Sequence, residues 1–359
     1  MNRAVRKRKA VRVFLWVLLV LLAAMLLAVG IYIYTCTHYW QPSHRATARA
    51  GFEEKQAMLP DGSVINYAEG PDNGEALLLV HGQTGSWESY TRVLPELSKK
   101  WHVYAVDCYG HGSSTHDQAK YYLDRNGDDL IWFVDNVIGD RTVVSGHSSG
   151  GLIAAYVAAY GGDNIKGAVL EDPPVFSTEP EYFRHSFAYV DTYQVMHAYN
   201  QTDKTECWEA YYLRHCYWGN HYMANAMPGL AKYAQRFSDN HPGEAVQFFF
   251  MPQSINQIFQ YANEYDFAFG EHFYDYSWHA GISHGKMLAD MRVPTVFIHA
   301  KDQYSSEGVL MAASSDEQAR TAVGLIETCR LVELESNHLV HWYHPDVLIE
   351  AINSLSASD

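Results

Sequence analysis

Short apolar runs alternating with helix-like segments constrain this chain more than any other feature. "ALLLV" (Ala76 to Val80), "HVYAV" (102–106), "TVVSG" (142–146) and "IKGAVLED" (165–172) are separated by segments of helical character at about 86–100, 124–138 and "GLIAAYVAAY". Uninterrupted apolar runs suit strands buried on both faces, and strands alternating with helices at these intervals predict a mostly parallel α/β sheet with helices on both faces. Upstream, "QAMLPDGSVINYAEG" places two strand-like runs about Asp61-Gly62, a hairpin turn signal.

The alternation stops at Asp172 and resumes at "VPTVFIHA" (293–300), followed by the strand-like "CRLVELES" and the closing helix "PDVLIEAINSL". Residues 172–290 are too many for a loop inside a compact domain. They hold 27 of the chain's 50 aromatics, so a separate helical subdomain is expected there. The expected organisation is a basic tail (1–12), an apolar span (13–34), a linker (35–50), an α/β core (51–171 and 291–359) and a helical cap (172–290).

Residues 13–34, "VFLWVLLVLLAAMLLAVGIYIY", carry no charge. Helical, they reach about 33 Å, enough to cross a hydrocarbon core of about 30 Å. Arg3, Arg6, Lys7, Arg8, Lys9 and Arg12 precede them with no acidic residue. The positive-inside tendency then predicts a single-pass transmembrane helix with the remainder on the extracytoplasmic side. A cleaved signal peptide is the competing reading, with small-residue patterns such as Ala46-Thr47-Ala48 downstream, but the apolar run exceeds the usual length of about 7–15 residues.

Beyond those six basic residues the chain has 20 Lys and Arg against 41 Asp and Glu, which excludes nucleic acid as an expected partner, because phosphate binding needs a basic surface. Five cysteines are too few for a disulfide scaffold. Cys207 and Cys216 could pair only if a turn separates them, since nine residues of helix span about 13.5 Å. Asn200-Gln201-Thr202 fits a glycosylation acceptor.

Gly146-His147-Ser148-Ser149-Gly150 fits G-x-S-x-G, with a strand running in and a helix running out. Such a turn strains the serine backbone, and small residues two positions to either side let the chains pass. A serine needs a base within hydrogen-bond reach, itself oriented by a third group. "SNHLVHWYHPD" supplies His338, His341 and His344, and acids follow strands at Asp302 ("FIHAKDQYS") and Asp172. With no HExxH pattern or cysteine ligand nearby, no metal is expected.

With His81-Gly82 after the first parallel strand, "DCYGHGSS" after the next, the Ser148 elbow, an Asp after the strand that follows the insertion and a His after the last strand, residues 56–356 resemble the α/β-hydrolase fold family. The resemblance implies Ser148 as nucleophile, His338 as base and Asp302 as acid, the family's chain order, with Asp172 as the alternative acid used by a minority of relatives. It also implies oxyanion donors at the Gln83 and Ser149 backbone N–H groups. Asn337 departs from the glycine commonly found before the family's histidine. Relatives that attack with an aspartate, the haloalkane dehalogenases and epoxide hydrolases, are set aside because the elbow carries serine.

The expectation is a membrane-anchored serine hydrolase of carboxylic esters or lipids, working without a cofactor through an acyl-enzyme on Ser148. Tyr211, Tyr212, Tyr217, Trp218, Phe248, Phe249 and Phe250 are candidate apolar walls of its cap, or part of the cap's own core. The alternatives are an aminopeptidase resembling proline iminopeptidases, with Glu179, Glu181 or Glu209 gripping a free amine, a carbon–carbon bond hydrolase or lactonase, and a non-catalytic binding module displayed at the membrane.

Overall fold

A computed structural model describes residues 3–356, so Met1 and Asn2 of the expected tail and 357–359 of the expected core lie outside the described residues. Eight strands form one sheet: β1 (Glu53–Met58), β2 (Val64–Glu69), β3 (Glu75–Val80), β4 (Trp101–Val106), β5 (Thr142–His147), β6 (Ile165–Glu171), β7 (Thr295–Ala300) and β8 (Cys329–Leu334). Their spatial order is β1-β2-β4-β3-β5-β6-β7-β8. The β1–β2 hairpin turns at Asp61-Gly62 and joins β4 antiparallel; the remaining pairs are parallel.

The parallel strands are apolar throughout because side chains alternate between two covered faces. Leu78, Val80, Val144 and Leu170 point into one core, and Leu77, Leu79, Val143 and Val169 into the other. Each such buried side chain contributes about 1.5–3 kcal/mol over leaving it in water. The helix Ser149–Tyr160 is buried from Ser149 through Ala158, between the sheet and the helix Leu123–Phe133, where Gly127 leaves room for the Tyr156 ring.

Two local departures from the expected pattern have visible causes. Over 86–100 the chain forms a short 3₁₀ turn, Trp87–Tyr90, capped by Ser86, and a one-turn helix, Leu94–Leu97, rather than a continuous helix. Residues 41–49 of the expected linker are helical and packed, with Thr47 buried and its hydroxyl donating to the Thr91 carbonyl at 3.2 Å.

Between β6 and β7 the insertion is helical. Part of it has its own small core around Leu213, Met227, Phe248 and Phe259. The rest, including Phe183, Tyr193, Phe269, Phe273 and Trp278, is continuous with the core on one face of the sheet, so the insertion is not a separately packed body. Cys207 and Cys216 are free thiols at the two ends of the helix Trp208–His215, which keeps them apart. The Asn200 amide donates to the Phe267 carbonyl and to Glu271, bonds that a glycan at that nitrogen would have to break.

At the amino terminus, helix α1 (Arg3–Thr37) is the one helix among the described residues long and apolar enough to cross a membrane, and its apolar stretch is not buried against the rest of the chain.

Candidate active site

Strand β5 ends at His147, and Ser148 turns the chain into the helix Ser149–Tyr160 with φ 54° and ψ −125°. This is an unfavourable conformation for a residue with a side chain, and the surrounding contacts enforce it. A Cβ on Gly146 would stand 2.0 Å from the Gly150 carbonyl oxygen, and one on Gly150 would stand 2.3 Å from those of Val80 and His81. The glycines of G-x-S-x-G therefore let strand, helix and the neighbouring β3 end approach one another. Glu171, across the β5–β6 ladder, accepts the Ser148 N–H at its carbonyl, 2.9 Å.

The turn after β3 lies directly against the elbow, since a Cβ on Gly82 would come within 2.8 Å of the Ser148 Cβ. Buried His81 accepts the Cys108 N–H at Nε2 (3.0 Å), which leaves Nδ1–H to donate to the Gly82 carbonyl at 2.7 Å. In a trans peptide the next N–H points the opposite way, so this bond orients the Gln83 N–H. The Gln83 side chain accepts from the Tyr265 hydroxyl (2.9 Å), and the Thr84 N–H donates to His111 (3.2 Å). Neither the Gln83 N–H nor the Ser149 N–H donates to any group among the described residues.

His338, on the loop after β8, packs its ring 4.5 Å from that of His147, centroid to centroid, while His147 Nε2–H donates to the His338 carbonyl at 3.0 Å. Its Nδ1 faces Asp172 Oδ2 at 2.7 Å. Asp172 follows β6, is 1% exposed, and also accepts the Ala300 N–H at 3.0 Å. Burial pushes its carboxyl up, but the facing His299, the hydrogen bond and charge of His338 and the Ala300 N–H together outweigh that and hold the pKa below the ordinary value. His299 Nδ1 lies 3.6 Å from Asp172 Oδ1, an electrostatic contact, and its Nε2 bonds Asp316 at 2.9 Å.

Asp302 does not pair with His338. Its carboxylate accepts the Asp316 N–H at the start of the helix Asp316–Leu325 (3.0 Å), and its own N–H donates to the Asp316 side chain (3.1 Å). Asp302 is thus engaged at a helix start, and the strand before it, β7, stands one strand further from the serine than β6, which adjoins β5, about 4.8 Å more. The histidine loop folds back over β5 and meets the acid of the nearer strand.

Beneath the elbow sits a polar group that the sequence did not single out. Glu171 Oε1 accepts from both the His341 N–H (2.7 Å) and the His341 ring (2.8 Å), tying the histidine loop to β6. His147, Glu171 and His341 are buried with candidate ligand atoms within 4.8 Å of one another, and Glu171 Oε2 has no hydrogen-bond partner among the described residues. Burial first, then the adjacent His338 and His341, push His147 well below its ordinary pKa, so it donates as a neutral ring. The available signals were the His338-x-x-His341 spacing and the acidic pair Glu171-Asp172. His344 lies beyond this group, at the start of the helix Pro345–Asn353.

Of the acids considered for gripping an amine, Glu179 accepts the His284 N–H, Glu181 is exposed, and Glu209 is buried within the insertion. None is hydrogen-bonded to the Ser148 site.

The profile of the alpha/beta hydrolase family matches residues 77–351. The chain belongs to the alpha/beta hydrolase family. Among its relatives, a serine hydrolase-like protein of Homo sapiens is 26% identical over 138 residues, 38% of this chain and 68% of that protein. Lipase LipV of Mycobacterium tuberculosis is 35% identical over 121 residues, 33% of this chain and 44% of the lipase. The matches span 39%, 68% and 44% of three serine hydrolase-like proteins. Among solved structures, that of a membrane phospholipase A described as a bacterial virulence factor superposes with a TM-score of 0.60 at 19% identity, covering 96% of this chain and 97% of that one. The likeness is one of fold; in this chain the α/β-hydrolase architecture carries a helical insertion and a long apolar amino-terminal helix.

Proposed function

We propose that this alpha/beta hydrolase is a membrane-anchored serine hydrolase of carboxylic esters or lipids, with Ser148 as nucleophile, His338 as base and Asp172 as the acid that orients it. The observation that carries the reading is the buried Asp172 carboxylate bonded to His338 Nδ1, on a ring packed against the residue preceding a strained Ser148. An ionised Asp172 keeps the Nδ1–H tautomer, leaving Nε2 to take the Ser148 proton as the serine attacks an acyl carbon. The unengaged N–H groups of Gln83 and Ser149 are the donors for the developing oxyanion, a contribution of about 2.7–4 kcal/mol for each such donor elsewhere. The imidazolium then gives that proton to the departing alcohol as the acyl–oxygen bond breaks, and His338, neutral again, takes a proton from water as it attacks the acyl-enzyme, releasing the acid and restoring Ser148.

The lipase and phospholipase names among the relatives support an ester or lipid substrate. The length of α1 and its unburied apolar surface support anchoring. Full-length protein exposed to a fluorophosphonate probe and to nitrophenyl esters, beside Ser148→Ala, tests the reading: labelling and turnover are expected in the wild type and absent in the variant. A folded wild type inert to both would overturn it.

A further inference from the structure

From Ala245 to Asn263 the insertion contains no charged residue and no histidine, in a chain with net charge −15. Within it, Phe249, Phe250 and Ile258 are 45%, 41% and 50% exposed, an unusual display for large apolar side chains drawn from one short segment. This segment abuts the end of α1. The Tyr32 hydroxyl donates to the Phe250 carbonyl (3.2 Å), and the buried Asn256 amide donates to the carbonyl of Cys36 (3.0 Å).

Tyr32 lies within the charge-free stretch 13–34, and helical side chains lean toward the helix amino terminus, so its hydroxyl sits no shallower in a membrane than its own Cα. The Phe250 carbonyl it binds is therefore level with the apolar part of α1.

We infer that the segment around Phe249, Phe250 and Ile258 seats in the outer interface of the membrane that α1 crosses, forming an apolar lip. The inference rests on the reading of α1 as an anchor. The lip's backbone suits that environment, where unpaired polar groups are costly. Asn256 accepts the Phe248 N–H (2.7 Å) and donates to the Phe248 carbonyl (3.1 Å), while Tyr32 satisfies Phe250. The Phe249 and Phe250 rings are thus exposed where the Phe248 N–H and carbonyl and the Phe250 carbonyl are paired. Absence of carboxylates spares it the repulsion that the rest of this acidic surface would meet at anionic lipid.

The lip is coupled to the site. Gln257 Nε2 donates to the Tyr343 hydroxyl at 3.2 Å, on the one-turn helix that follows His338, and Tyr39, at the foot of α1, donates to Gln260 at 2.6 Å and packs against Trp342. Anchor, lip and histidine loop form one contact network, so the ester this site takes is one delivered from the bilayer.

The test uses the full chain in vesicles of phosphatidylethanolamine and phosphatidylglycerol. Benzoylphenylalanine replaces Phe250, or Tyr160 at the far end of the helix that begins at the elbow. Irradiation is expected to join lipid to position 250 and not to 160. A species of doubled mass from position 250 would mean that a second copy covers the patch, and would overturn the inference, as would equal or no lipid labelling at the two positions. Failure of the full chain to float with vesicles would mark the anchor reading itself as wrong. In parallel, the double variant Phe249→Asp, Ile258→Asp is expected to lose about tenfold in turnover of a vesicle-borne ester while its turnover of a soluble short-chain ester stays at the wild-type level; equal loss on both, or on neither, counts against the lip. If the wild type cleaves neither ester, the hydrolase reading fails and the lipid adduct alone decides the lip.

Discussion

At Asp172 burial and hydrogen bonding oppose each other, and hydrogen bonding wins, which keeps a charge facing His338 in a place without solvent. Asp172→Asn should leave the fold intact and lower kcat by about 10⁴, because the amide would favour the wrong histidine tautomer. Asp302→Ala should leave kcat unchanged and remove about 1 kcal/mol of stability, the worth of its lost hydrogen bond to the Asp316 N–H. Ester kinetics and urea unfolding of the two variants check both outcomes. Chain order pointed to Asp302 because both aspartates follow strands and only position in the motif separates them. The contact that separates them physically joins residues 166 positions apart, which no local pattern encodes.

At the scale of elements, the elbow was legible because its demands are local: a β-branched run, two glycines about a serine and a helix-forming run. Gly150→Ala should destabilise the chain by about 3 kcal/mol, as a new methyl forces the helix away from the β3 end, and should remove turnover with it. Denaturant midpoint and probe labelling of this variant are the measurements. The stretch 86–100 was less legible, since Ser86 and Pro95 restart the chain twice within it. Residues 41–49 carry the polar composition of a linker, and their helix is packed through a single buried threonine rather than an apolar stripe.

Over the whole molecule, three buried histidines shape stability against pH. Burial is the first cause that pushes His111, His147 and His284 well below their ordinary values. Each is neutral when folded and free to protonate when unfolded, so stability is full above the unfolded value of about 6.5 and is lost as pH falls below it. Three such groups give a slope of about 4 kcal/mol per pH unit. His299, shifted upward against its burial by Asp172 and Asp316, acts in the opposite sense only above about 6.5 and does not offset the loss. Urea midpoints should therefore fall steeply from pH 6.5 to about 5.5, and a flat profile would show that these rings are reached by water.

Apolar runs of the right length, set between helix-like segments, were enough to specify a parallel sheet, since each strand's alternation of faces is written in adjacent residues. The serine elbow and the long uncharged stretch of the amino-terminal helix were equally local, and equally readable. Tertiary structure alone decided which acid meets His338, that Glu171 holds the histidine loop, and that the insertion shares its core with the sheet and its tip with α1. These depend on which strands become neighbours and on how distant segments share buried surface, and contacts of that kind exist only once the chain has closed on itself.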